Sequence, residues 1–131
     1  MSRTLLLSIA LLVAHGATTG TASTHPWPQF RGPQGDGISP ATSVPLSWSA
    51  TSNVAWKTSV PGLGWSSPVL AHGRIYLLDE QGLGVVVARG REFKKLSENP
   101  IGERALASYA VTDGSLVIRS ESHLYSIRSQ P

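Results

Sequence analysis

One stretch of this chain recurs, and the recurrence constrains the fold more than any other feature. Gly64 to Leu78, GWSSPVLAHGRIYLL, reads as strand, tight turn, strand. Ser67 to His72 is a short apolar run, His72-Gly73 is a turn signal, and Arg74 to Leu78 is rich in β-formers. An X-Gly pair between two such runs predicts a hairpin, because glycine accepts the positive φ that a two-residue loop needs. The layout returns 41 residues later in Ser108-Tyr-Ala-Val-Thr-Asp-Gly114-Ser-Leu-Val-Ile118. Ser67 falls on Ser108, Gly73 on Gly114, Ile75 on Leu116 and Leu77 on Ile118. Carried further at the same offset, Leu83 falls on Leu124 and Val85 on Ser126. A repeat of about 40 residues made of strands and turns has the period of a propeller blade.

Composition agrees with a turn-rich β chain: 13 Gly and 9 Pro in 131 residues, among many short apolar runs. The absence of Cys removes disulfides, thiolate metal sites and a Cys nucleophile. The formal net charge is +3 with no basic stripe, which argues against nucleic acid as a partner.

Taken in order, Met1 to Ser23 has the pattern of a secretory signal peptide. Arg3 supplies the positive start, Leu5 to Ala14 the apolar core, and Gly20-Thr-Ala22 the small residues of a cleavage site. Whether this leader is cleaved or stays as an uncleaved N-terminal anchor, the rest of the chain is expected to be exported, to a periplasmic or extracellular location. No later segment approaches the ~20 apolar residues of a membrane helix, so membrane contact is expected to be peripheral at most. Residues 24–53 form an irregular arm rich in Pro and Gly, where Trp27 and Phe30 are placed to pin it. Residues 54–131 form the blade-like domain.

Within that domain, Val54 to Thr58 predicts a strand with Val54, Trp56 and Thr58 on one face. Gly84 to Arg89 is a strand, and Glu92 to Ser97 another with Phe93 and Leu96 inward. Asn99 to Gly102 is a link, the second hairpin spans about 107–112 and 115–119, and His123 to Arg128 closes the chain with Leu124 and Ile127 inward. One blade of four antiparallel strands fits about 74–119. The fold expected is all-β: an antiparallel propeller-blade-like sheet, one to two blades of an incomplete propeller, with an irregular N-terminal arm.

These residues resemble a family. Trp27-Pro-Gln-Phe-Arg-Gly-Pro-Gln-Gly-Asp-Gly37 is similar to the WPQFRGPxGDG opening of extracytoplasmic PQQ-like (quinoprotein-type) β-propeller repeat proteins. Pro45-Leu-Ser-Trp48, Asn53-Val-Ala-Trp-Lys57 and Gly64-Trp-Ser-Ser-Pro-Val69 continue the pattern. Arg91-Glu-Phe93, Leu96-Ser-Glu-Asn99, Gly102-Glu103, Leu106-Ala-Ser108, Asp113-Gly114 and His123-Leu-Tyr125 look like the family's closing blade. One departure is Tyr109, where the repeat would place Pro, as at Pro68. The other is length. Family members carry six to eight blades, whereas this chain looks like the opening and closing segments with the middle blades missing. About 108 residues follow a leader of 23. A closed ring needs roughly 160 residues for four blades. An open set of blades leaves strand edges and apolar faces uncovered, which favours a protein partner or self-association through blade edges.

The resemblance includes a scaffold branch, similar to the outer-membrane assembly lipoprotein BamB, and a dehydrogenase branch. The first implies a non-catalytic module for protein–protein interaction or assembly. The second implies, as the alternative, a fragment of a PQQ-dependent quinoprotein dehydrogenase. That branch holds quinone and Ca²⁺ in a complete ring and typically uses a vicinal Cys pair. No Cys is present here. PQQ is thus open by family resemblance only, and no cofactor, catalytic or metal residue is assigned. A third reading is a truncated remnant with no independent function.

Two local patterns invite chemistry and fail on their surroundings. Gly64-Trp-Ser-Ser-Pro68 is similar to a nucleophile elbow, and Ser66, Asp79 and His123 follow hydrolase order. The fifth position is Pro, no helix pattern follows, and the chain is too short for that fold. Gly82-Leu-Gly84 is similar to a dinucleotide loop, yet Val87 stands where Gly or Ala is needed and Val85-Val-Val87 favours a strand. His15, His25, His72 and His123 show no metal-ligand spacing. Asp36, Asp79 and Asp113 sit beside turns. The residues singled out are structural: Trp27, Trp48, Trp56 and Trp65 for packing between blades or anchoring the arm, and Gly73 and Gly114 for the two hairpins.

Overall fold

The structure, a computed structural model, describes residues 25–41 and 44–129. The leader expected over 1–23 lies outside the described residues. Among the described residues all regular structure is β. The strands are β1 (Val69–Ala71), β2 (Arg74–Leu78), β3 (Leu83–Ala88), β4 (Lys95–Pro100), β5 (Ala110–Thr112), β6 (Ser115–Arg119) and β7 (Leu124–Arg128). They form a four-stranded antiparallel sheet, β1-β2-β3-β4, and a three-stranded one, β5-β6-β7, not closed into a barrel. Among the described residues no helix is long and apolar enough to cross a membrane.

The repeat is real at the backbone. Strands β1 and β2 reappear as β5 and β6 at an offset of 41 residues. Both hairpins turn on two left-handed residues: His72 (φ 48°) with Gly73 (φ 71°), and Asp113 (φ 46°) with Gly114 (φ 74°). That is the type I′ turn, whose twist matches the flanking strands. Register follows, with Ala71 opposite Arg74 and Thr112 opposite Ser115.

The second connection breaks the repeat. Leu77 lies opposite Val85, but its counterpart Ile118 lies opposite Tyr125, so the offset falls to 40 past this turn. In the first sheet the Asp79 N–H donates to the Leu83 carbonyl, four residues on. In the second the Ser120 N–H donates to the His123 carbonyl, three residues on. Gly82 (φ 82°) absorbs the extra residue, and Ser120 to His123 contains no glycine. Because strand side chains alternate, one residue of slip exchanges the faces of β7. Tyr125 turns to the core and Leu124, expected inward, is 71% exposed on the other face; Ile127 shares the face of Tyr125 but is 43% exposed near the strand end.

The sheets pack face to face around Val69, Leu78, Ala105, Tyr109 and Ile118, with Tyr76, Ile101, Val111, Leu116 and Tyr125 against them. The opposite face of the first sheet, with Leu77, Val85 and Val87, is overlaid by Thr58 to Pro61 and by Trp56 and Phe93.

Three expectations are corrected here. Val54 to Thr58 is not a strand, because it crosses a sheet face, where no ladder of N–H and C=O groups is on offer. It is held by side chains: Trp56 Nε1–H donates to the Gly90 carbonyl (3.2 Å), and its ring meets Phe93 at 5.4 Å. The four-stranded blade spans 69–100 instead of 74–119, since β4 closes the first sheet and a link precedes β5. Finally, β4 runs to Pro100 and is exposed throughout, with Leu96 44% exposed. An edge strand has one free side, which is what allows a proline in it.

Candidate interaction surface

The residues that join the two sheets define the surfaces left over. The first joint is the arm. Trp27 and Leu70 exchange both backbone hydrogen bonds at 2.8 Å, and the Pro28 carbonyl accepts the Val111 N–H at 2.9 Å. Leu70 and Val111 are equivalent positions in the two repeats. Trp27-Pro28 is therefore a strap across the edge strands β1 and β5. Proline suits its position, because only its carbonyl is used. Gly32 (φ 76°) lies beneath the indole, where an added Cβ would stand 2.8 Å from the ring.

The second joint is the link from β4 to β5. The Arg104 carbonyl accepts the Glu121 N–H (2.8 Å), just as its counterpart Leu63 accepts the Glu80 N–H (2.9 Å). The two links then part company. Ala105 is 2% exposed between the sheets, and its N–H donates to the Glu80 carbonyl at 3.1 Å. Its counterpart Gly64 is exposed, a Cβ there would meet nothing within 4 Å, and its N–H has no partner among the described residues. Leu63 and Trp65 beside it are 61% and 70% exposed. Ser67 N–H and Ser108 Oγ, equivalent residues, meet directly at 2.8 Å.

The third joint is a polar knot on Glu103. Its carboxylate accepts Ser120 Oγ–H (2.6 Å), Tyr125 O–H (2.7 Å) and His123 Nδ1–H (2.6 Å). The Ser120 bond first, then the Tyr125 bond, hold Glu103 down to about 2 from 4.5. The same bond pushes the Tyr125 phenol up. In the first repeat the acid sits on the other partner. Asp79 occupies the turn, its Oδ1 accepts the Leu83 N–H (2.7 Å), and the facing link residue is Gly62, where a Cβ would strike that carboxylate. Acid on the turn opposite glycine, or serine on the turn opposite acid, solves one packing problem twice.

Of the residues singled out from sequence, Trp27 is part of the first joint, Trp56 packs on Phe93 over the opposite face of the first sheet, and Gly73 and Gly114 make the hairpins. Trp65 donates its Nε1–H to Glu80 Oε2 (3.1 Å) with its ring outward, and Trp48 is 73% exposed. Ser66, Asp79 and His123 are engaged separately: Ser66 Oγ–H donates to the Leu78 carbonyl (2.6 Å), Asp79 caps its turn, and His123 serves Glu103. Gly82 and Gly84 enter β3, not a helix. Gly84 makes room for the Tyr109 ring, which stands edge-on to Tyr76 at 6.1 Å. Burial, then Asp79, push the Tyr109 phenol up to about 12. No group of three His, Cys, Asp or Glu placed to hold a metal occurs among the described residues.

Sequence reasoning missed Glu103, Ser120 and Tyr125 as a unit and Gly64 as a surface. Aligning the repeats with a one-residue gap after Ser122 places all four. No family model matches the chain, and no curated protein does either.

Proposed function

We propose that this chain is an exported, non-catalytic β-blade module that docks a protein partner on the link 60–66. The observation that carries the reading is the contrast between Ala105 and Gly64: the same link position is covered by a blade in one repeat and bare in the other. The internal joint describes what the missing cover must offer. It needs an apolar strand face, as Val69, Tyr76 and Leu78 give Ala105, and a turn carbonyl, as Glu80 gives its N–H. The outward face of the second sheet is a poor copy of that. Its exposed Arg119, Ser126 and Arg128 stand where the first sheet has Leu78, Val86 and Ala88. Desolvating two guanidinium groups against Leu63 and Trp65 would cost more than the contact returns. The occupant is thus a blade of another polypeptide. Export rests on the leader pattern of Arg3 and Leu5 to Ala14.

Site-specific photo-crosslinking tests this in expressing cells. A benzophenone residue at position 65 should give one discrete adduct with a different, exported protein, absent when the probe is at Asp113 and lost in Gly64→Arg. Gly64 has open space above it, so that variant keeps its fold. No adduct at 65, an equal one at 113, or an adduct only with a second copy would overturn the reading. N-terminal sequencing of the exported chain tests the leader separately.

A further inference from the structure

A bulge in β4 sets two opposite charges side by side on an apolar face. Val86 lies opposite Ser97, but Val87 lies opposite Lys95, so Leu96 is an extra residue in the ladder. In a regular strand side chains alternate, which would send Lys95 and Glu98, three apart, to opposite faces. The extra residue cancels one alternation. Glu98 stands opposite Val85 and Lys95 opposite Val87, both on the face that carries Leu77. There they form an ion pair at 2.6 Å.

The pair borders a cavity of about 170 Å³ between the sheet face and the segment 58–61 that overlies it. Leu77 and the buried Val85 and Val87 contribute its floor, and Trp56 and Phe93 an aromatic wall. That wall is fixed before anything binds. Trp56 Nε1–H donates to the Gly90 carbonyl at 3.2 Å, and its ring meets Phe93 at 5.4 Å, tilted by 56°. A fixed wall reduces the entropy lost on binding. An apolar cavity of about 150 Å³ takes a benzene ring, so this one has room for a single ring. The rim then selects the substituent. Lys95 Nζ and Glu98 Oε1 engage each other, and neither side chain has a further partner among the described residues. Glu98 Oε2 is left to accept, and Lys95 keeps N–H groups to donate. The two charges cancel, so a carboxylate or an ammonium loses on one what it gains on the other. A hydroxyl uses both, donating to Oε2 and accepting from Nζ. The other polar side chains of the lining, Thr58 and Ser59, are uncharged.

We propose that this cavity binds a small free phenol, with the ring between Trp56 and the valines of β3 and the hydroxyl on the Lys95–Glu98 pair. This goes beyond the docking function and does not depend on it, because the chain alone carries every group involved.

The test is a titration of the full chain with p-cresol, read from amide and indole NMR, with toluene as the control that lacks the hydroxyl. p-Cresol should give saturable shifts at the Leu77, Val85 and Val87 amides and at Trp56 Nε1–H. Toluene should move the same signals but bind about fivefold more weakly. Glu98 is exposed, so Glu98→Gln keeps the fold and removes only the charged acceptor. In that variant the advantage of p-cresol over toluene should shrink to about twofold, with toluene unchanged. Acetyl-tyrosine amide carries the same ring on a backbone and should bind no better than p-cresol, since the segment 58–61 already lies across this face. Diffuse or unsaturable shifts, equal affinity for toluene, or a full p-cresol advantage in Glu98→Gln would each overturn the proposal. Tighter binding of the tyrosine amide would overturn it in favour of a partner's tyrosine.

Discussion

Single residues here work in pairs across the repeat. Glu103 accepts three side-chain donors, two of them from the turn 120–123 and one from β7. Its folded carboxyl is held at about 2, below its ordinary 4.5. A group whose pKa falls on folding contributes stability above the unfolded value and loses it as pH drops through the folded one. The contribution should be full above about pH 4.5 and gone near pH 2. Acid unfolding of the protein beside Glu103→Gln measures this: the stability gap should narrow across that window. A gap of constant size would mean the carboxylate charge plays no part. None of this was legible in a residue-by-residue reading, because Glu103, Ser120 and Tyr125 belong to three different segments. Tyr109 and Gly84 show the same limit. The sequence marks Tyr109 as a departure from Pro68, but only the structure shows that Gly84 is small so that Tyr109 can lie over it.

Elements were legible wherever local chemistry decides them. Both hairpins, β3 and the irregular arm follow from turn residues and β-branched runs, since a type I′ turn and its flanking strands are a local bargain. The exchange of faces in β7 has an identifiable cause. At an offset of 41, Val85 and Val87 meet Ser126 and Arg128; at 40 they meet Tyr125 and Ile127, apolar on apolar. The core side of the sheet, and not the turn, therefore holds the register. It follows that lengthening the turn should not move the strand. Inserting one glycine between Ser122 and His123 copies the longer turn of the first sheet. Tyr125 should stay opposite Ile118, and the cost should be within about 1 kcal/mol, as for a loop lengthened by one residue. Cross-strand nuclear Overhauser contacts between Ile118 and Tyr125 report it. Their replacement by contacts between Ile118 and Leu124 would show that turn length sets the register after all.

At the scale of the molecule, two sheets without a ring are held by a face-to-face core, by the link between β4 and β5 and by the strap. The sequence points to Trp27 as a pin for the arm, but where the strap attaches was invisible for a physical reason. A Pro-rich arm has no periodicity of its own, and its partners lie more than 40 residues away on two different strands. Its role is testable through Gly32, whose hydrogen bonds to Gln29 and Gly35 lie within the arm. Valine at that position is unfavourable twice over, since φ is 76° and its Cβ would collide with the Trp27 ring. The backbone strain alone is worth about 1–3 kcal/mol. If Trp27 is displaced, Leu70 and Val111 lose their acceptors together, although they sit on different sheets. Native-state hydrogen exchange of Gly32→Val should therefore show both amides losing protection in step, with the β6–β7 amides much less affected. Independent behaviour of the two amides, or wild-type protection at both, would mean that the strap does not couple the sheets. Coupled loss would show that the arm links the two blades, with residues 27–28 bonded to an edge strand of each sheet.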